Sequence, residues 1–146
     1  MESCDVDDVA ERAKAYDFPI EQGAIRAFAL SMQSDNPAYF GADAIVPPAF
    51  LINAWRWAPE GARAEHGIPR ARLLHGEQEF EFIGDVPRAG DVLTVQEWVS
   101  DRFEKAGKRG GTMEFVVVTT EFRNAGEIVA LMRSTFIGRE AKATDA

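Results

Sequence analysis

The stretch Ala49-Phe50-Leu51-Ile52-Asn53-Ala54-Trp55-Arg56-Trp57 limits the possible folds of this chain more than any other. Only Asn53 and Arg56 interrupt it, so a helix built on it is apolar nearly all round. Such a helix is normally buried on every side. It is also short, about 15 Å long as an α-helix. An element this greasy and this short needs something curved around it. Val46-Pro47-Pro48 marks where it opens, since proline suits a first helical turn.

The wrapping material lies downstream. Leu74, Gly76, Gln78, Phe80 and Phe82 alternate with His75, Glu77, Glu79 and Glu81, which predicts a strand with one buried and one wet face. That alternation puts His75 with the glutamates. Val86–Asp91 is turn chemistry. Further strands are predicted over about Val92–Phe103, Thr112–Arg123 and Ile128–Gly138, the last two joined tightly by Asn124-Ala125-Gly126. Thr112–Arg123 is apolar on both faces, as a central strand is.

Upstream, Ile25, Phe28, Ala29 and Met32 recur at helical spacing, with Pro19 in the expected first turn. Ser34-Asp35-Asn36-Pro37 ends that helix. Val6, Val9, Ala13 and Tyr16 give the first 15 residues a weak apolar stripe. Helices first and long antiparallel strands second make an α+β layout, a curved sheet around one apolar helix. With no repeat and no linker, the expectation is an acidic segment over 1–15, one domain over 16–140 and a tail over 141–146.

Composition removes several function classes. The 146 residues carry 16 Lys plus Arg against 24 Asp plus Glu, a net charge of −8. That balance argues against nucleic acid, whose phosphates want clustered positive charge. No apolar run reaches the roughly 20 residues of a spanning helix, so no membrane is expected. Cys4 is the only cysteine and His66 and His75 the only histidines. No disulfide and no metal site are therefore expected. The acidic opening lacks an apolar stretch, which makes the cytoplasm the expected compartment.

Six pieces in order resemble one family. They are Phe18-Pro19; Ser34-Asp35-Asn36-Pro37-Ala38-Tyr39-Phe40; Val46-Pro47-Pro48-Ala49-Phe50; Leu74-His75-Gly76-Glu77-Gln78-Glu79-Phe80; Val86–Asp91; and Lys105–Thr112. Together they resemble the MaoC-like dehydratase family, its N-terminal-type domain, over nearly the whole chain. The resemblance implies a hot-dog fold. It also implies reversible hydration of trans-2-enoyl thioesters of CoA or acyl-carrier protein to (R)-3-hydroxyacyl products. No cofactor is implied beyond the thioester itself.

Active members of that family carry a Gly-Asp-x-Asn-Pro-x-His run. Aligned on Asn36-Pro37, this chain has Ser34 for the aspartate and Tyr39 for the histidine; shifted by one, Asp35 returns but Phe40 stands for the histidine. No register supplies both. The resemblance is therefore to the non-catalytic partner of heteromeric dehydratases. It implies a homodimer, or a heterodimer or heterotetramer with a second MaoC-like chain bearing the Asp/His pair.

The candidate catalytic residues are Asp35, Tyr39 and His75, and each has a plainer reading. Asp35-Asn36-Pro37 also serves as a helix stop, Tyr39 as a half-buried aromatic and His75 as a surface imidazole among carboxylates. Asn36, and the Ala49 and Phe50 N–H groups at the helix opening, are candidate contacts to a thioester. Lys105, Lys108 and Arg109, with Arg102, form the one basic cluster, suited to a CoA phosphate or to solvent. A self-sufficient hydratase or thioesterase, and an acyl-CoA-binding module without turnover, stand as alternatives.

Overall fold

Five strands make one antiparallel sheet: β1 (Tyr16–Pro19), β2 (Leu73–Phe82), β3 (Val92–Ala106), β4 (Thr112–Asn124) and β5 (Glu127–Arg139). Their order is β1-β3-β4-β5-β2, which puts β4 at the centre as its two apolar faces require. The structure is a computed structural model and describes residues 11–139. The expected acidic segment over 1–15 is described only from residue 11, and the expected tail over 141–146 lies outside the described residues.

The core forms on one face of the sheet, where Leu93, Val95, Phe122 and Ala130 are buried. Three register shifts, between His75 and Glu77, Val99 and Asp101, and Phe122 and Arg123, interrupt the ladders. Bulges of this kind increase local twist and bend a strand. The β4–β5 hairpin turns on Ala125 and Gly126, both left-handed at φ 49° and 85°. Two positive φ values in a two-residue loop match the twist of the flanking strands.

Two upstream expectations are corrected. Tyr16 and Pro19 belong to the edge strand β1, not to helices. Tyr16 and Phe18 are buried while Asp17 is exposed, a period of two that outweighs the weak helical stripe. Pro19 closes the strand, where its missing N–H interrupts no ladder. The helix α1 starts later, at Gln22, and runs to Ser31, burying Ile25 and Ala29.

The apolar run forms a helix over Pro48–Trp57, but it is 3-10 throughout. At three residues per turn it spans about 20 Å. It is not buried all round. Phe50, Leu51 and Ala54 enter the core, whereas Trp55 and Trp57 are 52% and 45% exposed. Leu51 and Ala54, one turn apart, share a face, so the core claims one side and leaves the tryptophans outside it. Phe50 lies stacked with Phe18 and edge-on to Phe28, which fixes the helix against β1 and α1.

Candidate functional site

The loop after α1 holds itself together with its own polar atoms. The Ala38 N–H donates to Asn36 Oδ1 at 3.0 Å, and the Asn36 N–H donates to Ser34 Oγ at 3.3 Å. The Tyr39 N–H donates to the Asn36 carbonyl, and Ile45 to that of Ala38. Asn36 is thus the cap of a short 3-10 turn, Pro37–Tyr39. Asp35 is exposed, and Tyr39 packs half-buried against the core.

At the opening of the central helix the two N–H candidates separate. The Phe50 N–H donates to the Pro47 carbonyl at 2.9 Å, so the turn itself consumes it. Phe50 as a whole is only 2% exposed. Ala49 is exposed at the first turn.

A cavity of about 640 Å³ opens between the central helix and the sheet. Ile52, Trp55, Met132 and Phe136 supply its apolar wall, and Tyr16, Glu97, Thr120, Ser134 and His75 reach it as polar groups. His75 is there because of a bulge. It pairs with Phe136 and Glu77 pairs with Thr135, so Gly76 is the extra residue between them. One extra residue moves His75 onto the face shared by Gln78 and Phe80, away from Glu77, Glu79 and Glu81. This corrects the simple alternation. A Cβ on Gly76 would stand 2.6 Å from Ile137 Cδ1, which explains glycine at the bulge. The His75 ring lies 5.3 Å from that of Phe136, with Nε2 3.1 Å from the Glu77 carbonyl.

Glu97 is the buried carboxylate of the cavity, 4% exposed. Its Oε1 accepts from Arg63 Nε at 2.9 Å and from the Ala64 N–H at 2.6 Å. Beside it, burial first and the Glu97 charge second push the Tyr16 phenol up to about 12, so it stays protonated and able to donate. Ser134 Oγ donates to Gln78 Oε1 at 2.8 Å. The sequence held a signal for Glu97 that the motif reading passed over. Leu93, Val95 and Glu97 share one parity of β3, so an acidic residue falls on the buried face.

The basic cluster divides. Arg102 pairs with Glu114 at 2.8 Å and donates to the His66 carbonyl. Lys105 Nζ lies 5.4 Å and 5.2 Å from the Phe103 and Phe115 rings, a cation–π position. Lys108 and Arg109 are exposed at the β3–β4 turn, with no side-chain partner among the described residues. A second hollow of about 590 Å³, lined by Arg12, Lys14, Arg63 and Arg102, meets the cavity at Arg63. Among the described residues no three His, Cys, Asp or Glu side chains gather where a metal ion could sit, and no helix is long and apolar enough to cross a membrane.

Comparison with known proteins bears on this arrangement. The family model for the FAS1-like dehydratase domain region matches residues 8–132. A UPF0336 protein of Thermobifida fusca is 30% identical over 131 residues, covering 80% of this chain and 83% of that one. Among solved structures, the HadBC (3R-hydroxyacyl-ACP dehydratase) complex of Mycobacterium tuberculosis aligns with a TM-score of 0.68 at 23% identity, over 87% of this chain and 96% of that one. A MaoC-like dehydratase of Rhodospirillum rubrum aligns with a TM-score of 0.63 at 16% identity, over 92% and 94%. At such identities the structures establish a common hot-dog fold.

Proposed function

The chain belongs to the FAS1-like dehydratase-domain family, of the MaoC-like hot-dog type, and on that premise we propose that it is the non-catalytic, substrate-tunnel subunit of a cytoplasmic (R)-specific enoyl-thioester hydratase, or 3-hydroxyacyl-thioester dehydratase, of fatty acid metabolism. Its substrate is an acyl-CoA or an acyl-carrier-protein thioester, and no cofactor takes part.

The chemistry asks for a carboxylate and an imidazole acting on one water, giving hydroxyl to C3 and a proton to C2. The observation that carries the proposal is that the loop where the family's pattern lies holds no such pair. Asp35 and Tyr39 stand in the self-capped loop, outside the lining of the cavity. His75 is in the cavity with its Nε2 at a backbone carbonyl, and Glu97 is held by Arg63 and Ala64. A second hot-dog chain then supplies the Asp/His pair. Beyond the β1 pairing and the Arg12–Trp98 bridge, β3 from Val99 to Ala106 has a free outer edge among the described residues, and a free edge invites another chain. The named assembly of HadBC as a complex supports the same reading. The acyl chain would lie in the 640 Å³ cavity. Lys105, Lys108 and Arg109, or the hollow at Arg63, would face the phosphate end of the thioester.

Absorbance-monitored hydration of crotonyl-CoA tests this. The chain alone is expected to be inactive and to gain turnover when mixed with a hot-dog partner carrying an intact Asp/His pair. Full activity of the isolated chain overturns the proposal. One observation favours a second reading, a self-sufficient hydratase or thioesterase: His75 and Glu97 line the same cavity. Activity of the isolated chain that disappears in His75→Ala would establish it.

A further inference from the structure

Three residues that line the cavity carry oxygens with no partner among the described residues. Tyr16 is 8% exposed, Glu97 4% and Thr120 2%. Glu97 and Thr120 face each other across β3 and β4, and Tyr16 pairs with Val95, two residues before Glu97. All three line the cavity. Among the described residues, neither the Tyr16 hydroxyl nor that of Thr120 has a hydrogen-bond partner. Both bonds to Glu97 end on Oε1, leaving Oε2 free. Yet no side-chain polar atom that is sealed from solvent lacks a partner. The three atoms therefore open onto the cavity, where water or a ligand must satisfy them.

Their chemistry is specific. Tyr16 and Thr120 can donate, Thr120 can also accept, and an ionised Glu97 can only accept. A hydroxyl group both donates and accepts, so one hydroxyl can meet a donor and the carboxylate together. A ketone offers nothing to Glu97, and a methyl end offers nothing to any of the three. Leaving buried polar atoms without partners is what makes such sites reject analogues lacking the group. The rest of the wall, Ile52, Trp55, Met132 and Phe136, suits the hydrocarbon between.

We infer that the cavity selects thioesters whose acyl chain carries a hydroxyl group away from the thioester, read by Tyr16, Glu97 and Thr120, in preference to chains ending in a bare hydrocarbon. The inference rests on the acyl-tunnel reading above and sharpens it to a substrate class.

Calorimetric titration with octanoyl-CoA and 8-hydroxyoctanoyl-CoA separates the two levels, using the chain alone and in complex with its hot-dog partner. The hydroxylated ester is expected to bind about tenfold or more tightly. Tyr16→Phe and Thr120→Val, both close in shape, should each shrink that gap several-fold. Equal affinity for the two esters, or a gap untouched by both substitutions, overturns the inference while the tunnel reading stands. Failure of either preparation to bind any ester overturns the tunnel reading and the inference with it.

Discussion

In the loop from Ser34 to Phe40 the polar side chains turn back on the loop's own backbone, and in the cavity under the sheet Tyr16, Thr120 and one oxygen of Glu97 face open space. Asn36 caps the turn and Ser34 takes its N–H, so little is left over for a ligand. Tyr16, Thr120 and one oxygen of Glu97 are left over almost entirely. The loop is where the family's pattern lies in the sequence. The cavity carries no pattern at all. Resemblance therefore points to one place and unsatisfied chemistry to another. A hot-dog subunit that has passed catalysis to its partner would look like this, since its loop need only keep its shape while its tunnel must still meet the substrate.

The comparison breaks most visibly at Glu97. It ties the segment at Arg63 and Ala64 to β3 through one oxygen. Glu97→Ala strands a backbone N–H and opens a hole in the core face. It should lower stability by about 2–3 kcal/mol, the low end for a buried pair because Arg63 is half exposed. Urea denaturation measures this. A loss below about 0.5 kcal/mol would show that the pair does not hold that segment.

Much of the architecture was legible because patterning repeats. The four long strands alternate or run apolar over ten or more residues, so their existence and order in the chain survive small errors. The edge strand β1 is only four residues, too short to outweigh a helical stripe drawn through Tyr16. The side of the sheet on which His75 falls was illegible for a different reason. Side-chain parity counts residues, and one bulge at Gly76 reverses it. The same counting, applied to Leu93, Val95 and Glu97 where no bulge intervenes, would have found the buried carboxylate. The one-sided burial of the Pro48–Trp57 helix was hidden too, because hydrophobicity alone does not tell a 3-10 from an α-helix.

A smaller effect tests the loop side of the comparison. Asn36→Ala removes the acceptor for the Ala38 N–H. The cost expected is about 0.5–1 kcal/mol, typical of a lost cap on an exposed turn. If the loop only keeps its own shape, thioester affinity by calorimetry should not change beyond that stability loss. A large drop in affinity with no loss of stability would return Asn36 to the binding site and erase the contrast.

The smallest effect is at His66, whose ring packs beside Phe136, and it is read through pH. Its Nδ1 accepts the Ile68 N–H at 3.1 Å, and its ring lies 5.2 Å from Phe136. Burial first, then the charges of Arg102 and Arg63, hold its pKa below the ordinary 6.5, against the opposing pull of Glu97 and Glu114. The folded chain thus prefers the neutral ring, while the unfolded chain takes up a proton near the ordinary value. Between those two pKa values the unfolded state binds more protons, so stability falls as pH falls. The contribution is complete above pH 6.5 and is lost as pH drops through the lower, folded value. His66→Asn keeps an acceptor for Ile68 and cannot take up the proton. Denaturation midpoints from pH 7 to 5.5 should therefore decline less in the variant than in the parent, with His75 common to both. Parallel declines would mean that His66 is not coupled to folding, and that the polar groups tied to stability lie deeper, around Glu97.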